Sequence, residues 1–313
     1  VAKRLAIAFA LLAVVFGSGT LLYSLLFAVE EAPKNRDVSS PIAAAAPALN
    51  APDAGPTAEL AIVSAIEGTL ERKTPEGSWQ RVSVGDAVGK DDALRTIGTD
   101  AFAVLEIGSD GTTVELAGEF TVPTLTTELS MVEVVDGSVA ARVASSAETT
   151  LRVEARGSDA VAQTNDGEFS VLSTGNGRVA VASQRGRVAV SAAGETVSVE
   201  AGTQTLVADS GPPSPPETLP ASLLLKVGKT ARQLRVRETT VRGTTTPGAI
   251  VSVGGIRVQA NDKGEFQTKL ALKEGRNRFR VVVKDAAGRS LSQDLPSFTV
   301  DSKAPTTHTG VEW

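Results

Sequence analysis

The sequence predicts an all-β protein carried behind one N-terminal transmembrane helix, and three observations carry that reading. Hydrophobic residues make up 42% of the 313, yet only 4% are aromatic, so any core must be built from Val, Leu, Ile and Ala. Together with 29 Gly and 15 Pro, that bias favours many short strands joined by tight turns. Apolar and polar side chains alternate through Phe102, Val104, Glu106 and again through Thr113, Val114, Glu115, Leu116, as in strands with one buried face. Finally, Leu5 to Val29 is a run of 25 residues without a charge, LAIAFALLAVVFGSGTLLYSLLFAV. At about 1.5 Å per residue such a helix exceeds the roughly 30 Å hydrocarbon layer and spans it with some tilt.

Taken in order, residues 1–4 form a cytoplasmic stub and residues 5–29 the anchor. Lys3 and Arg4 precede the run while Glu30 and Glu31 follow it, which places the N-terminus inside and the bulk of the chain in the periplasm, held on the inner membrane by a single pass. A cleaved signal peptide would have a shorter apolar region; Gly17-Ser-Gly19 could supply a cleavage site, but the run continues past it. Ala6, Ala10, Ala13 and Gly17 read as apolar filler ahead of a helix-pairing face. Residues 30–58 hold Pro33, Pro41, Pro47, Pro52 and Pro56 with an alanine run, the composition of a linker with a reach of roughly 30 Å. A β domain is expected over 59–210. A second proline-rich linker follows over 211–222, because five prolines between Gly211 and Pro220 preclude a central strand. A second β domain covers 223–302 and a polar tail 303–313.

Within the first domain, Val82 to Val122 reads VSVGDAVGKDDALRTIGTDAFAVLEIGSDGTTVELAGEFTV, with Asp110-Gly111 as a hairpin turn. The order of a VGD turn, a second acidic turn, LRT, an apolar strand, a Gly-Ser-Asp-Gly turn and a V-x-L strand resembles the FecR domain. That resemblance implies a non-catalytic periplasmic β module, the sensor half of iron-citrate-type transmembrane signalling. Beyond it, a glycine followed by an alternating strand recurs at Gly137, Gly167, Gly177, Gly186 and Gly194, with GRVAV at 177 and again at 186. Such spacing suggests a meander or a β-solenoid, and the resemblance implies a FecR-like β-solenoid or a double-layered β roll. Arg178 and Arg187, at matching places, read as solvated side chains ahead of an anion-binding ladder.

Between Val241 and Ser290, Pro247-Gly248, Gly254-Gly255, Asp262-Lys-Gly264, Glu274-Gly275 and Ala287-Gly288 punctuate short strands at sandwich spacing. The order V-x-G-T-T-x-P-G-A, V-x-V, D-x-G-x-F, L-x-x-G-x-N, V-x-V-x-D-x-x-G is similar to bacterial immunoglobulin-like domains of the glucodextranase B type, which implies an accessory Ig-like β-sandwich. Arg289 departs from that pattern, standing where the family commonly has Asn.

Chemistry is sparsely represented. Zero cysteines remove thiolate nucleophiles, Zn–Cys sites and iron–sulfur clusters together. The single His308 sits in the polar tail, and no GxGxxG, Walker, G-x-S-x-G or H-E-x-x-H motif occurs. Asp91-Asp92, Asp100, Asp110 and the NDKGE stretch from Asn261 to Glu265 offer only fragments of a calcium loop and read as turns. Trp79 and Trp313 read as packing residues. No catalytic residue, cofactor, metal or nucleic-acid partner is expected.

Charge divides the chain. Residues 59–220 hold 11 Lys+Arg against 24 Asp+Glu, a net −13, whereas residues 221–313 hold 16 against 8, a net +8. Arg276, Arg278, Arg280 and Lys284 fall at even positions after Gly275, predicting a basic stripe on one strand face. It is either a solvated outer face or an interaction face for the acidic domain or an anionic polymer, with docking that loosens as salt rises. The expected function is a sensor or scaffold that contacts an envelope or membrane protein; the alternative is a module holding cell-wall glycan or another anionic polymer. Four residues ahead of the anchor are too few to grip a sigma factor, and the leading Val suggests a GTG start codon.

Overall fold

A computed structural model describes residues 61–145, 149–208, 211–231 and 233–302, and all of them fall in one compact unit. The anchor, first linker and tail expected from the sequence, with His308 and Trp313, lie outside the described residues. The first region contributes β1 (Ala61–Lys73), β2 (Gln80–Val82), β3 (Ala87–Val88), β4 (Asp92–Ile107), β5 (Thr112–Leu125), β6 (Leu129–Val143), β7 (Thr150–Ala155), β8 (Val161–Thr164), β9 (Gly167–Ser173), β10 (Val179–Ala192), β11 (Glu195–Glu200), β12 (Thr203–Val207) and β13 (Glu217–Thr218). The second contributes β14 (Leu225–Val227), β15 (Gln233–Leu234), β16 (Glu238–Thr245), β17 (Ile250–Val253), β18 (Ile256–Gln259), β19 (Glu265–Ala271), β20 (Gly275–Asn277), β21 (Arg280–Lys284), β22 (Ser290–Asp294) and β23 (Phe298–Val300). Every described element is a strand, so the described chain is all-β.

β1 to β13 form one 13-stranded sheet in the order β13-β12-β10-β8-β7-β6-β5-β4-β1-β2, with β3 on β1, β11 on β10, and β9 bridging β6 and β10. Its ladders are antiparallel except β6 with β7. Val114, Leu116, Phe120 and Val122 of β5 join Val132, Val134, Val139 and Val143 of β6 in one buried cluster. No described helix covers that apolar face, so the sheet curls over and encloses its own core. Each large side chain buried this way contributes roughly 1.5–3 kcal/mol.

Curling requires the long strands to bend, and glycine makes the crease. Gly118 of β5 pairs with Gly137 of β6, and their φ angles are +138° and +144°. A Cβ on Gly118 would sit 2.0 Å from the Asp136 carbonyl oxygen, and one on Gly137 would sit 2.2 Å from that of Ala117. The register slips by one residue beside this pair, between Glu119 and Phe120 of β5. Accordingly the buried positions of β6 switch from even numbers (Ser130, Val132, Val134) to odd ones (Val139, Ala141, Val143).

This geometry corrects the solenoid expectation. The GRVAV copies at 177 and 186 are not successive rungs; both feed the single bent strand β10. The recurring glycines do not all precede strands, since Gly137 lies inside β6 and Gly186 inside β10, each at a bend. Arg178 directly precedes β10 and Arg187 lies within it, so the two do not sit on neighbouring rungs, and Arg187 pairs with Glu200 at 2.7 Å. In β4 it is Ala101, Ala103, Leu105 and Ile107 that face the core, leaving Phe102 and Val104 half-buried on the outer side. Asp110-Gly111 closes the β4–β5 hairpin, where the Thr112 amide donates to Asp110 Oδ1 at 2.9 Å.

The proline segment is also ordered. The Ser214 amide donates to the Leu206 carbonyl at 2.8 Å and the Leu219 amide to that of Gly202 at 2.9 Å, so β13 lies along β12 as the last strand of the sheet. An edge tolerates proline because its missing N–H faces away from the ladder.

The second region holds three small sheets, β14-β16-β19, β15-β23-β20 and β18-β17-β21-β22. They share one core of Val241, Val251, Val253, Phe266, Leu270, Val281, Val283 and Phe298. Gly254 and Gly255, both at positive φ, form the two-residue turn between β17 and β18.

Candidate functional site

The basic run after Gly275 does not form one strand. Arg276 lies in β20, which pairs with β23, whereas Arg280 and Lys284 lie in β21, between β17 and β22. Arg278 falls in the break between them. Alternation persists, with Arg276, Arg278 and Arg280 exposed and Asn277, Val281 and Val283 buried. Arg276 Nε and Nη2 both donate to Ser297 Oγ at 3.2 Å. Arg280 grips Asp294 with two bonds, Nε to Oδ1 at 2.8 Å and Nη2 to Oδ2 at 3.3 Å. That contact raises the Arg280 pKa and holds the Asp294 carboxyl below the usual carboxylate range. Lys284 reaches the first region, with its Nζ 3.6 Å from Glu115 Oε1.

Lys284 is one of several ties between the regions. Arg257 Nη1 donates to the Asp136 carbonyl at 3.3 Å and to Asp136 Oδ2 at 3.2 Å. The Ala286 carbonyl accepts from Ser170 Oγ and from Gln184 Nε2. Gln259 Nε2 donates to the Leu172 carbonyl at 3.4 Å. An apolar cluster of Leu172, Ala180, Ala182, Ile250 and Ala286, flanked by Leu206 and Leu219, fills the space beside these bonds. Arg289 adds a clasp: its Nε donates to Asp285 Oδ2 at 2.7 Å and its Nη1 to the Pro220 carbonyl at 2.6 Å. The Asn that the Ig-like pattern carries at this place is too short to span both.

Beside the ties lies a cleft of about 710 Å³, with Asp100, Ala101 and Ser138 on one wall and Arg257, Arg280 and Lys284 on the other. The three cations are matched by four carboxylates. Asp136, Glu115 and Asp294 each pair with one, and Asp100 adds a favourable field on Arg280. An anion entering here would compete with ion pairs already formed: Arg257 and Lys284 serve to join the two regions, and Arg280 holds β22 on β21. Exposed pairs of this kind contribute about 0 to 1 kcal/mol each; the apolar cluster and the bonds to backbone carbonyls carry more.

Elsewhere the acidic fragments act locally. Asn261 Oδ1 accepts the Lys263 and Glu265 amides at 3.0 and 2.8 Å, an Asx turn. Buried Asp92 accepts the Gly89 amide at 2.9 Å. Among the described residues no group of three or more His, Cys, Asp or Glu side chains gathers where a metal could sit. Trp79 is half-buried, with the Arg95 guanidinium 4.2 Å from its ring centroid. Of the joining residues, the sequence pointed to Lys284 and, as a departure from a pattern, to Arg289; Glu115, Asp136, Arg257 and Gln259 carry no local signal beyond the opposite net charge of the two regions.

No family model matches the chain, and no curated protein matches it. Two solved structures of a "putative anti-sigma factor" from Parabacteroides distasonis are similar at 22% identity with a TM-score of 0.32, over 37% of this chain and 55% and 54% of theirs. The chain thus spans about half the length of those structures. A polysaccharide lyase overlaps 79% of this chain and 40% of its own at 9% identity and a TM-score of 0.19.

Proposed function

We propose that this chain is a non-enzymatic, inner-membrane-anchored periplasmic sensor or scaffold that works through protein contacts of its FecR-like and Ig-like regions. The observation that carries the reading is the fused junction: Arg257–Asp136, Lys284–Glu115 and the Ala286 carbonyl join two β regions, each with its own core, into one body. A joined body of this kind offers a partner a surface of fixed shape and passes a contact on one region to the other. The 25-residue apolar run and the proline-rich stretch after it supply the tether in this reading. The resemblance of Val82–Val122 to the FecR domain supports the sensor role.

A second reading, retention of an anionic envelope polymer, draws on Arg276 and Arg278, which are exposed and have no carboxylate partner among the described residues. Three experiments test the tether and separate the readings. Alkaline phosphatase fused after residue 58 is expected to be active and to fractionate with membranes; an inactive or released fusion refutes the tether. In-cell cross-linking is expected to capture a specific membrane protein. Retention on purified peptidoglycan, lost on changing Arg276 and Arg278 to Ser, with no protein captured, would transfer the assignment to the polymer.

A further inference from the structure

β22 is an edge strand that buries nothing. Each of Ser290, Leu291, Ser292, Gln293 and Asp294 is exposed, the only such case among the described strands of three residues or more. It is held by its ladder to β21, by the Arg280–Asp294 pair and by the Leu295 amide donating to the Phe279 carbonyl at 2.9 Å. Its outer edge is open.

The other uncovered edges of the described sheets are two or three residues long or, like β11 and β19, bear two charges, features that blunt strand addition. β13 follows Pro215 and Pro216, β11 bears Glu195 and Glu200, and β14 is three residues long with a central Lys226. The opposite edge of β22's own sheet, β18, is covered by the Arg257 and Gln259 ties to the first region. β22 is five residues long with a single charge, Asp294, which is paired to Arg280, and it exposes a leucine, Leu291, at 39%.

We infer that β22 is the contact strand for a second copy of this chain, pairing antiparallel with its own counterpart about a two-fold axis through Ser292. In that register Ser290 faces Asp294 of the other copy and Leu291 faces Gln293, so a hydroxyl meets each carboxylate and no like charges oppose. The two Asp294 side chains stand four positions apart along the strand. At about 3.4 Å per residue this is roughly 13 Å, beyond the screening length of about 8 Å at physiological salt. A parallel pairing in register would instead set Asp294 directly beside Asp294. The self-complementary register selects a second copy over an unrelated strand, and the result is one continuous sheet running through both copies.

Because the chain has no cysteine, the register can be read directly. The test uses the full chain in detergent micelles, with single cysteines introduced under mild oxidation. At Ser292, on the axis, the two Cα atoms stand about 4.5 or 5.5 Å apart, within disulfide reach; at Leu291 they stand roughly 8 Å apart, outside it. Ser292→Cys is expected to form a disulfide dimer at least about tenfold faster than Leu291→Cys or Ser198→Cys, the last placed on β11. Leu291→Lys, on an exposed position that leaves folding intact, is expected to shift the sedimenting mass from dimer to monomer. Equal cross-linking at the three sites overturns the proposal. So does a dimer that survives Leu291→Lys without the Ser292 cross-link, which would come from elsewhere in the chain. A protein that stays monomeric yet takes up a synthetic extended peptide on this edge would also overturn it.

Discussion

Arg289→Met tests the clasp between the two regions. Asp285 is 1% exposed, and its carboxylate is answered by the Arg289 amide at 2.9 Å, by Arg289 Nε at 2.7 Å, and by the rest of the guanidinium beside it. Methionine keeps the aliphatic bulk and the backbone bond but strands the buried carboxylate. Removing one member of a buried pair costs about 3–5 kcal/mol. The Arg289 side chain keeps 31% of its surface exposed, so the effect belongs near the lower figure. Asp285→Asn together with Arg289→Met is expected to recover most of it, because a neutral amide buries far more easily than an unpaired charge. Urea denaturation of the three proteins, with calorimetry as a second probe, measures the differences. A loss within about 0.5 kcal/mol for Arg289→Met, the level of an ordinary surface change, would refute the clasp. The same variant loses the bond to Pro220, so brief proteolysis is expected to gain a cut near residue 220 and not within 214–219, where the Ser214 and Leu219 amides remain bonded.

Two further outcomes follow from the first region. Gly118→Ala is expected to cost more than about 4 kcal/mol and to leave the protein largely insoluble, since its Cβ would meet the Asp136 carbonyl at 2.0 Å. Gly111→Ala, also at positive φ but with nothing within 4 Å, is the control and loses about 1–2 kcal/mol; equal losses would refute the crease. Glu133 accepts from Arg156 and from Thr121 Oγ1, and the Arg156 contact holds its carboxyl below the ordinary range. A lowered folded pKa adds stability above the unfolded value of about 4.3 and loses it as pH falls through the folded value. Glu133→Gln is therefore expected to cost about 1 kcal/mol at pH 7, discounted for partial exposure, with the gap closing below pH 4.3. A gap that stays constant with pH would remove the ion pair as its cause.

The all-β class was legible because it rests on local signals: composition, alternation, and turn dipeptides such as Asp110-Gly111 and Gly254-Gly255. Strand length was not. Gly137 and Gly186 have the same local sequence character as a turn glycine, and only the partner across the ladder makes each a bend. Nothing near Gly118 announces that the Asp136 carbonyl will press against it. The proline segment misled for a related reason, since proline excludes a central strand but says nothing against an edge. At the junction, Lys284 could be marked from its place in a basic run, whereas Arg257 and Asp136 are isolated charges, 121 positions apart, that acquire meaning only when the chain between them is folded. Arg289 was visible as a departure from a pattern, and the buried Asp285 that explains it was four residues away.

The Gly118–Gly137 crease also governs where this protein can be cut, permuted or extended. Since β5 and β6 each run through the bend and contribute core residues on both sides of it, neither side is a separable half; a break at the crease divides two strands at once. Tips such as Asp110-Gly111, where an added Cβ at Gly111 meets nothing within 4 Å, bear no such double duty. New termini, reporter insertions or split halves belong at those tips, and a fragment ending at residue 118 has nothing complete to fold.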